Sequence, residues 1–409
     1  MGSVPEIFAI AGEPSGDQHA AMLGEALQQQ GDVLLTGIGQ HGMRRAGFDL
    51  LFDSAGWSAI GVVESLKRVP RLVVRKHQLL HHLQKTRPDL LVLVDFGAFN
   101  VRIARSIRNQ MDLPVLYYFP PRSWSRDARY DRLSGLVDRV ATPFQWSEAL
   151  LRDVGIEAEW VGHPVVDRIA VPESATRLRL RRELAVGEDS AVVGLLPGSR
   201  PTEIRCNCPQ MFGAGRIIAS EVGSVTFLLS RAPAINERTL RTHLARHGIE
   251  DRTTILEGVS DIVRAADLVI ASSGTATLET AAAACPMVIV YRGTALMALE
   301  KWLRRFNIDF VGMPNIIAGR EVVPELIDRD AEAQSIARAA LDILTDDGEM
   351  QAMRDRLLSV RQMLGVPGVS DRVAAMAFDM IGPGSQNDDS LGMDGSAPAG
   401  TSVSEEQER

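Results

Sequence analysis

Short runs of aliphatic and β-branched residues recur along this chain, each closed by small polar residues and followed by apolar positions at helical spacing. Runs at 7–11, 33–38, 90–94, 115–119, 137–141 and 158–161 read as strands in the first half. The same grammar restarts at 191–196 and continues at 225–229, 254–256, 267–271 and 287–291. None of these runs alternates strictly between apolar and polar residues. Strands of that kind, separated by helices, predict parallel sheets covered on both faces. Residues 165–184 read as a linker and first helix, which puts a domain boundary near residue 166, and helices are expected from about 330 to 380. The expectation is an α/β chain with two Rossmann-like domains facing across a cleft. The predicted units are an N-terminal domain at 1–165, a second domain at 166–345, C-terminal helices at 346–382 and a disordered acidic tail at 383–409.

Composition agrees with that picture. The chain has 409 residues, 45% hydrophobic and 23% charged, enough for two full cores. The tail has six acids and one base, so it carries −5 of the formal −8, and it holds almost no large apolar residue with which to offset the entropy of ordering. Three cysteines, Cys206, Cys208 and Cys285, make neither a disulfide framework nor a zinc motif, which points to a reducing, cytoplasmic setting. The N-terminus enters a strand without a basic-then-apolar leader, so export is not expected. No uncharged apolar stretch is long enough to span a bilayer.

Two loops carry the chemistry. Leu195-Leu196-Pro197-Gly198-Ser199-Arg200 and Ala271-Ser272-Ser273-Gly274-Thr275-Ala276-Thr277-Leu278-Glu279 each follow a buried-type strand. Glycine lets backbone approach a ligand, and the free N–H groups of a helix start attract anions. Arg200 suits a bidentate phosphate clamp and Glu279 a ribose hydroxyl. Either loop alone is compatible with an ordinary strand-to-helix turn; the pair suggests a nucleotide-diphosphate pocket. Neither follows the GxGxxG spacing, so a hydride-transfer dinucleotide is not indicated.

A basic segment at 66–87 holds Lys67, Arg68, Arg71, Arg75, Lys76, Lys85 and Arg87 and no acid, with Pro70 suited to a first turn. It is either a helix with a solvated basic face or an electropositive surface for anionic headgroups or a phosphorylated substrate. A nucleic-acid partner is not expected, since no reader motif or aromatic platform lies nearby.

Taken in order, the motifs resemble the lipid-A-disaccharide synthase family over residues 7 to about 330. Ala11-Gly12-Glu13-Pro14-Ser15-Gly16-Asp17 resembles its AGExSGD loop, and Gly61-Val62-Val63-Glu64-Ser65-Leu66 its G-x-VE-x-L segment. Val161-Gly162-His163-Pro164 resembles its GHP turn, where His163 is expected as a buried hinge residue. The LLPGSRxxE motif is matched through Glu203, SGTAxLE…PMV…YR by Ser273 to Arg292, and LPNxxAGRE by Met313 to Glu321. The resemblance implies a GT-B type, inverting, metal-independent glycosyltransferase of lipid A biosynthesis. It would act in the cytoplasm at the inner membrane surface, with an acceptor-side first domain and a nucleotide-sugar-binding second domain. A UDP-2,3-diacylglucosamine donor would pass its sugar to 2,3-diacylglucosamine 1-phosphate, giving a β-1,6 disaccharide phosphate and UDP. No cofactor is implied, the UDP-sugar being a substrate. Ser15, Gly16, Arg200, Glu203, Ser273, Gly274, Thr275, Glu279, Asn315 and Arg320 are the implied substrate-binding residues, Asn315 being equally readable as a turn residue. Asp328-Arg329-Asp330 has the DxD form but reads as a helix cap.

The chain departs from the family at three places, one of them a candidate catalytic position. The family's IDAPDFN is here Val94-Asp95-Phe96-Gly97-Ala98-Phe99-Asn100, so the aspartate that is the family's candidate general base is replaced by Ala98. The family's SPSVWAWR-like loop is Pro120-Pro121-Arg122-Ser123-Trp124-Ser125-Arg126, and its glycine after SGDxx is Ala20. Asp17 is the preferred replacement base, with Glu13 and Asp95 as the others; Asp17 also suits a helix cap. A related transferase with another lipid acceptor, a nucleotide-sugar epimerase and a non-catalytic nucleotide-sugar-binding regulator are the competing readings. Oligomeric state stays open.

Overall fold

The computed structural model describes residues 4–57, 62–292 and 310–382, with side chains except at 62–71 and 98. The predicted tail lies outside the described residues. The first sheet contains β1 (Glu6–Ala11), β2 (Leu34–Gly39), β3 (Asp49–Asp53), β4 (Leu90–Val94), β5 (Val115–Tyr118), β6 (Arg139–Thr142) and β7 (Glu157–Trp160). Its helices are α1 (Pro14–Gln30), α2 (His41–Arg45), α3 (Val62–Thr86), α4 (Gly97–Gln110) and α5 (Gln145–Arg152). Two helices, α6 (Val165–Arg168) and α7 (Ser174–Glu183), lead into the second sheet. That sheet contains β8 (Ala191–Leu196), β9 (Val225–Arg231), β10 (Thr253–Glu257), β11 (Leu268–Ser272), β12 (Met287–Tyr291) and β13 (Glu325–Ile327). Around it lie α8 (Pro201–Glu221), α9 (Glu237–His247), α10 (Ser260–Ala265), α11 (Thr275–Ala282), α12 (Met313–Ala318) and α13 (Ala333–Leu344). The last helices are α14 (Asp347–Met363) and α15 (Val369–Ile381).

Both sheets are parallel, in the orders β3-β2-β1-β4-β5-β6-β7 and β10-β9-β8-β11-β12-β13. Central strands such as β4 and β11 are buried at every position, which explains the unbroken apolar run of β4 and of the first four residues of β11. The edge strands β3 and β13 are partly exposed and short. Strand order reverses between β1 and β4 in the first sheet and between β8 and β11 in the second. Such reversals open a crevice beyond the carboxyl ends of the strands, where doubly wound sheets bind ligands.

The two halves share one apolar core, running from Ile7 and Leu23 through Val161, Val165 and Ile169 to Val193 and Met353. A second cluster, including Phe8, Leu91, Tyr117 and Leu83, fills the other face of the first sheet under α3 and α4. The C-terminal helices divide between the halves. Helix α14 contacts α11, α12 and α13, whereas α15 packs back on α1. Asp167 secures that return by accepting from the N–H groups of Gly368 (2.7 Å) and Val369 (3.1 Å) at the start of α15. Arg372 donates to the Val161 carbonyl (3.0 and 2.8 Å), and Arg139 pairs with Asp379 at 2.6 Å. Helix α3 begins at Val62, so Pro70 lies inside it rather than in its first turn.

Candidate active site

The first-sheet side of the cleft is built at the β1/β4 reversal. Ala11 and Val94 are register partners, so Gly12-Glu13 and Asp95-Phe96 leave the sheet side by side. Pro14 opens α1 at a position where its missing N–H costs nothing, and Glu13 is the N-cap residue in extended conformation. Asp95 (φ 49°) and Phe96 (φ 48°) are consecutive left-handed residues without glycine. Such positions cost about 1–3 kcal/mol each and persist only where the surroundings over-determine them. Here the buried Asn100 amide donates to the carbonyls of Asp95 (2.9 Å) and Val94 (3.2 Å), and the Tyr117 hydroxyl donates to the Asp95 carbonyl at 3.0 Å. The Phe96 ring lies so close to Gly12 that a Cβ there would sit 2.2 Å from it, which explains the glycine.

These contacts hold the Asp95 carboxyl at the head of the cleft. Its pKa is raised to about 6, first by burial and then by the neighbouring Glu13 charge, with the Phe96 N–H pulling in the other direction. Burial also raises Glu13, and Arg200 from the second sheet draws it back down. Glu13, Asp95 and Arg200 are therefore electrostatically coupled across the two halves.

On the opposite side, the β8/β11 reversal presents the two glycine loops. Gly198 has φ +117°, and a Cβ there would meet Glu203 Oε2 at 2.4 Å. Glu203 accepts from the N–H groups of Ser199 (2.8 Å) and Arg200 (3.2 Å), and its other oxygen pairs with Arg200 Nη1 at 2.5 Å. It thereby caps α8 and steadies Arg200, whose side chain remains half exposed. The start of α11 is open instead: Gly274 and Thr275 are exposed, and among the described residues no side chain caps the helix. Ser273 anchors that loop by donating to the Val311 carbonyl at 2.6 Å. Arg320 is exposed just beyond Gly319, which ends α12 in left-handed conformation.

Further contacts join the halves beside the cleft. Arg168 donates to Gln18 Oε1 (2.9 Å) and pairs with the buried Glu279 carboxylate (3.0 Å). Burial raises the Glu279 pKa, against the pull of Arg168. Arg126, in the loop where the family motif is lost, stacks over Trp146 at 4.1 Å and donates to the Ile317 carbonyl at 2.8 Å. His19 is buried and His163 partly buried among Tyr118, Phe119 and Phe144; burial, then Arg168, pulls the His19 pKa down to about 3. His163 Nδ1 accepts from the Val165 N–H at 3.2 Å.

Two sequence expectations require correction. Asp17 is buried, and its carboxylate accepts from the N–H groups of Gln40 (2.6 Å), Gly42 (2.8 Å) and Met43 (3.2 Å), capping α2 rather than facing the cleft. Asn315 is fully buried: its oxygen accepts from the N–H groups of Val322 and Val323, and its amide donates to Val323 O and Glu325 Oε1. It has no free group with which to contact a donor. Ser15 is partly buried and Gly16 buried in the first turn of α1, with Gly16 lying beside Asp95 Cβ. Arg75 lies over the Phe52 ring at 4.3 Å, and Lys76 is partly buried, while Val73 and Val74 between turns of α3 are exposed. The side chains of Lys67, Arg68 and Arg71 lie outside the described residues. Asn100, Tyr117, Arg126 and Arg168 were not singled out from the sequence; Asn100 alone had a signal, as the last residue of a recognised motif. Among the described residues no His/Cys/Asp/Glu group is arranged to hold a metal ion, and no helix is long and apolar enough to cross a membrane.

The family model described as lipid-A-disaccharide synthetase matches residues 7–373. The chain belongs to this family. The lipid-A-disaccharide synthase of Syntrophus aciditrophicus is 35% identical over 377 residues, covering 92% of this chain and 97% of that protein. That of Myxococcus xanthus is 32% identical over 389 residues, covering 94% and 100%. In fold, the chain is similar to the UDP-GlcNAc 2-epimerase from Neisseria meningitidis (TM-score 0.60, 12% identity, 91% and 99% covered). It is also similar to sucrose-phosphate synthase from Thermosynechococcus elongatus (TM-score 0.56, 14% identity, 91% and 98% covered). The GT-B arrangement expected from the sequence is the one observed, and membership of the family makes this chain a glycosyltransferase of lipid A biosynthesis.

Proposed function

We propose that the chain transfers 2,3-diacylglucosamine from its UDP donor to the 6-hydroxyl of 2,3-diacylglucosamine 1-phosphate, releasing UDP and a β-1,6 disaccharide phosphate. The observation that carries this reading is the coupling of Glu13 and Asp95 at one strand-order reversal with Arg200 at the other. Direct displacement at an anomeric carbon needs a base on the acceptor hydroxyl and a stabilised diphosphate leaving group. The open start of α11 at Gly274 and Thr275, with Arg200 opposite, suits the diphosphate. Asp95 replaces the family's aspartate as base: the 6-hydroxyl proton passes to its carboxylate as the new C–O bond forms and the C–O bond to UDP breaks. A carboxyl with a pKa about 6 is ionised at neutral pH yet basic enough to assist. Burial and, after it, Glu13 keep that pKa high, and Arg168 holds Glu279 near the donor loop.

Docking to the cytoplasmic face of the inner membrane is assigned to α3. Its exposed Val73 and Val74 beside Arg75 and Lys76 suit shallow insertion among anionic headgroups. The substitution at Ala98 favours one rival reading, a nucleotide-sugar-binding protein with another acceptor or none. UDP release with and without the monosaccharide phosphate, with mass spectrometry of the product, separates the two. Acceptor-dependent release with disaccharide supports the synthase. Donor binding without acceptor-dependent release supports the rival.

A further inference from the structure

Away from the cleft, α7, α10 and α14 line a half-open cavity of about 210 Å³ against the turn between α11 and β12. In a chain of net charge −8, its polar wall carries Arg177, Arg264 and Arg354, and no aspartate or glutamate among the described residues lines it. The acids that pair with these cations, Asp267 and Asp261, lie outside the lining. Arg177 and Arg181 share a single carboxylate oxygen of Asp267 (2.6 and 2.8 Å). Arg264 pairs with Asp261 at 3.5 Å, and that aspartate is 57% exposed. The Nε atoms of Arg177 and Arg264 are buried without a hydrogen-bond partner. Burial lowers the Arg177 pKa; Asp267 opposes this, and Arg181 and then Arg354 lower it by smaller amounts. The rest of the wall is mostly apolar and includes Cys285 and Leu358.

We propose that this cavity binds the oxyanion of a small organic phosphate or carboxylate. Guanidinium groups recognise both through paired N–H donors, and an anion would neutralise the surplus charge on the wall. The apolar surface favours a compact hydrophobic portion on the same molecule. The site is distinct from the donor loop. It adjoins the C-terminal end of α11, whereas Gly274 and Thr275 are at the other end, about 12 Å away along an eight-residue helix. The proposal does not depend on the transferase reading.

The test is isothermal titration calorimetry of the full chain with phenyl phosphate, benzoate and neutral benzyl alcohol. Wild type is compared with Arg264→Gln, Arg354→Gln and, as a donor-loop control, Arg200→Gln, each checked for wild-type thermal unfolding. One saturable site is expected for at least one anion, weakened about tenfold by each cavity substitution and unchanged in Arg200→Gln. The stronger of the two anions identifies the ligand class. The proposal is overturned if neither anion saturates a site by about 10 mM, or if benzyl alcohol binds as well. It is equally overturned if the cavity variants bind like wild type, or if Arg200→Gln alone removes binding.

Discussion

Replacing Asn315 by alanine separates a structural role from a substrate contact. In the wild-type structure its oxygen accepts from Val322 N (2.7 Å) and Val323 N (3.1 Å), and its amide donates to Val323 O and Glu325 Oε1, both at 2.8 Å. The side chain is fully buried, so water cannot replace these partners. Alanine leaves two buried N–H groups without acceptors, each costing about 1–3 kcal/mol. A loss of about 4 kcal/mol is expected, and since 1 kcal/mol moves the midpoint by about 2–4 °C in a domain of this size, Tm should fall by about 8–16 °C. Glu325 also accepts from the N–H groups of Val311 (2.7 Å) and Gly312 (2.9 Å), and Val311 receives the Ser273 hydroxyl. Donor affinity should therefore weaken along with stability. Differential scanning calorimetry, following the transition of the second domain, reads the effect. A midpoint within about 2 °C of wild type, accompanied by a raised donor KM, would refute the reasoning and return Asn315 to the donor site.

Three further outcomes are expected. The pH profile of kcat/KM should fall on the acid side near pH 6 as Asp95 takes up a proton; Glu13→Gln removes a negative neighbour and should move that limb to lower pH, while an unmoved limb would mean the pair is uncoupled. Asp17→Asn should destabilise the fold by about 1–3 kcal/mol by weakening the α2 cap, and a shift of the acid limb in that variant would instead mark Asp17 as a titrating catalytic group. Val74→Asp should reduce co-sedimentation with vesicles containing phosphatidylglycerol while leaving kcat on detergent-dispersed substrate unchanged; wild-type sedimentation would remove α3 from the docking surface.

Much of the fold was legible because burial writes itself into sequence. The five residues of β4 and the first residues of β11 are apolar without interruption since both faces of those strands are covered. Strand β3, with Asp49 and Asp53 at its ends and an exposed edge, carries no such signature, and three-residue β13 is too short to carry one. The glycine loops were readable as loops, but their division of labour was not. Glu203 caps α8 whereas α11 remains open, and that difference depends on where side chains turn. Asp17 misled because its partners, Gln40, Gly42 and Met43, lie more than twenty positions away. Asp167 likewise meets the start of α15 across some two hundred residues, so the return of that helix to the first half has no local trace. The Glu13–Asp95–Arg200 constellation was present as candidates but not as a group, because only the two strand-order reversals bring its members together.

The most direct test of the account is the rate of disaccharide formation by Asp95→Asn at neutral pH, measured with saturating donor and acceptor beside the wild-type enzyme. Loss of the positioned base should slow transfer by about 10²–10⁴-fold with UDP affinity preserved, and adding Ala98→Asp to that variant should restore part of the rate. Transfer within about twofold of wild type would contradict the assignment and leave the acceptor hydroxyl to be activated by another group.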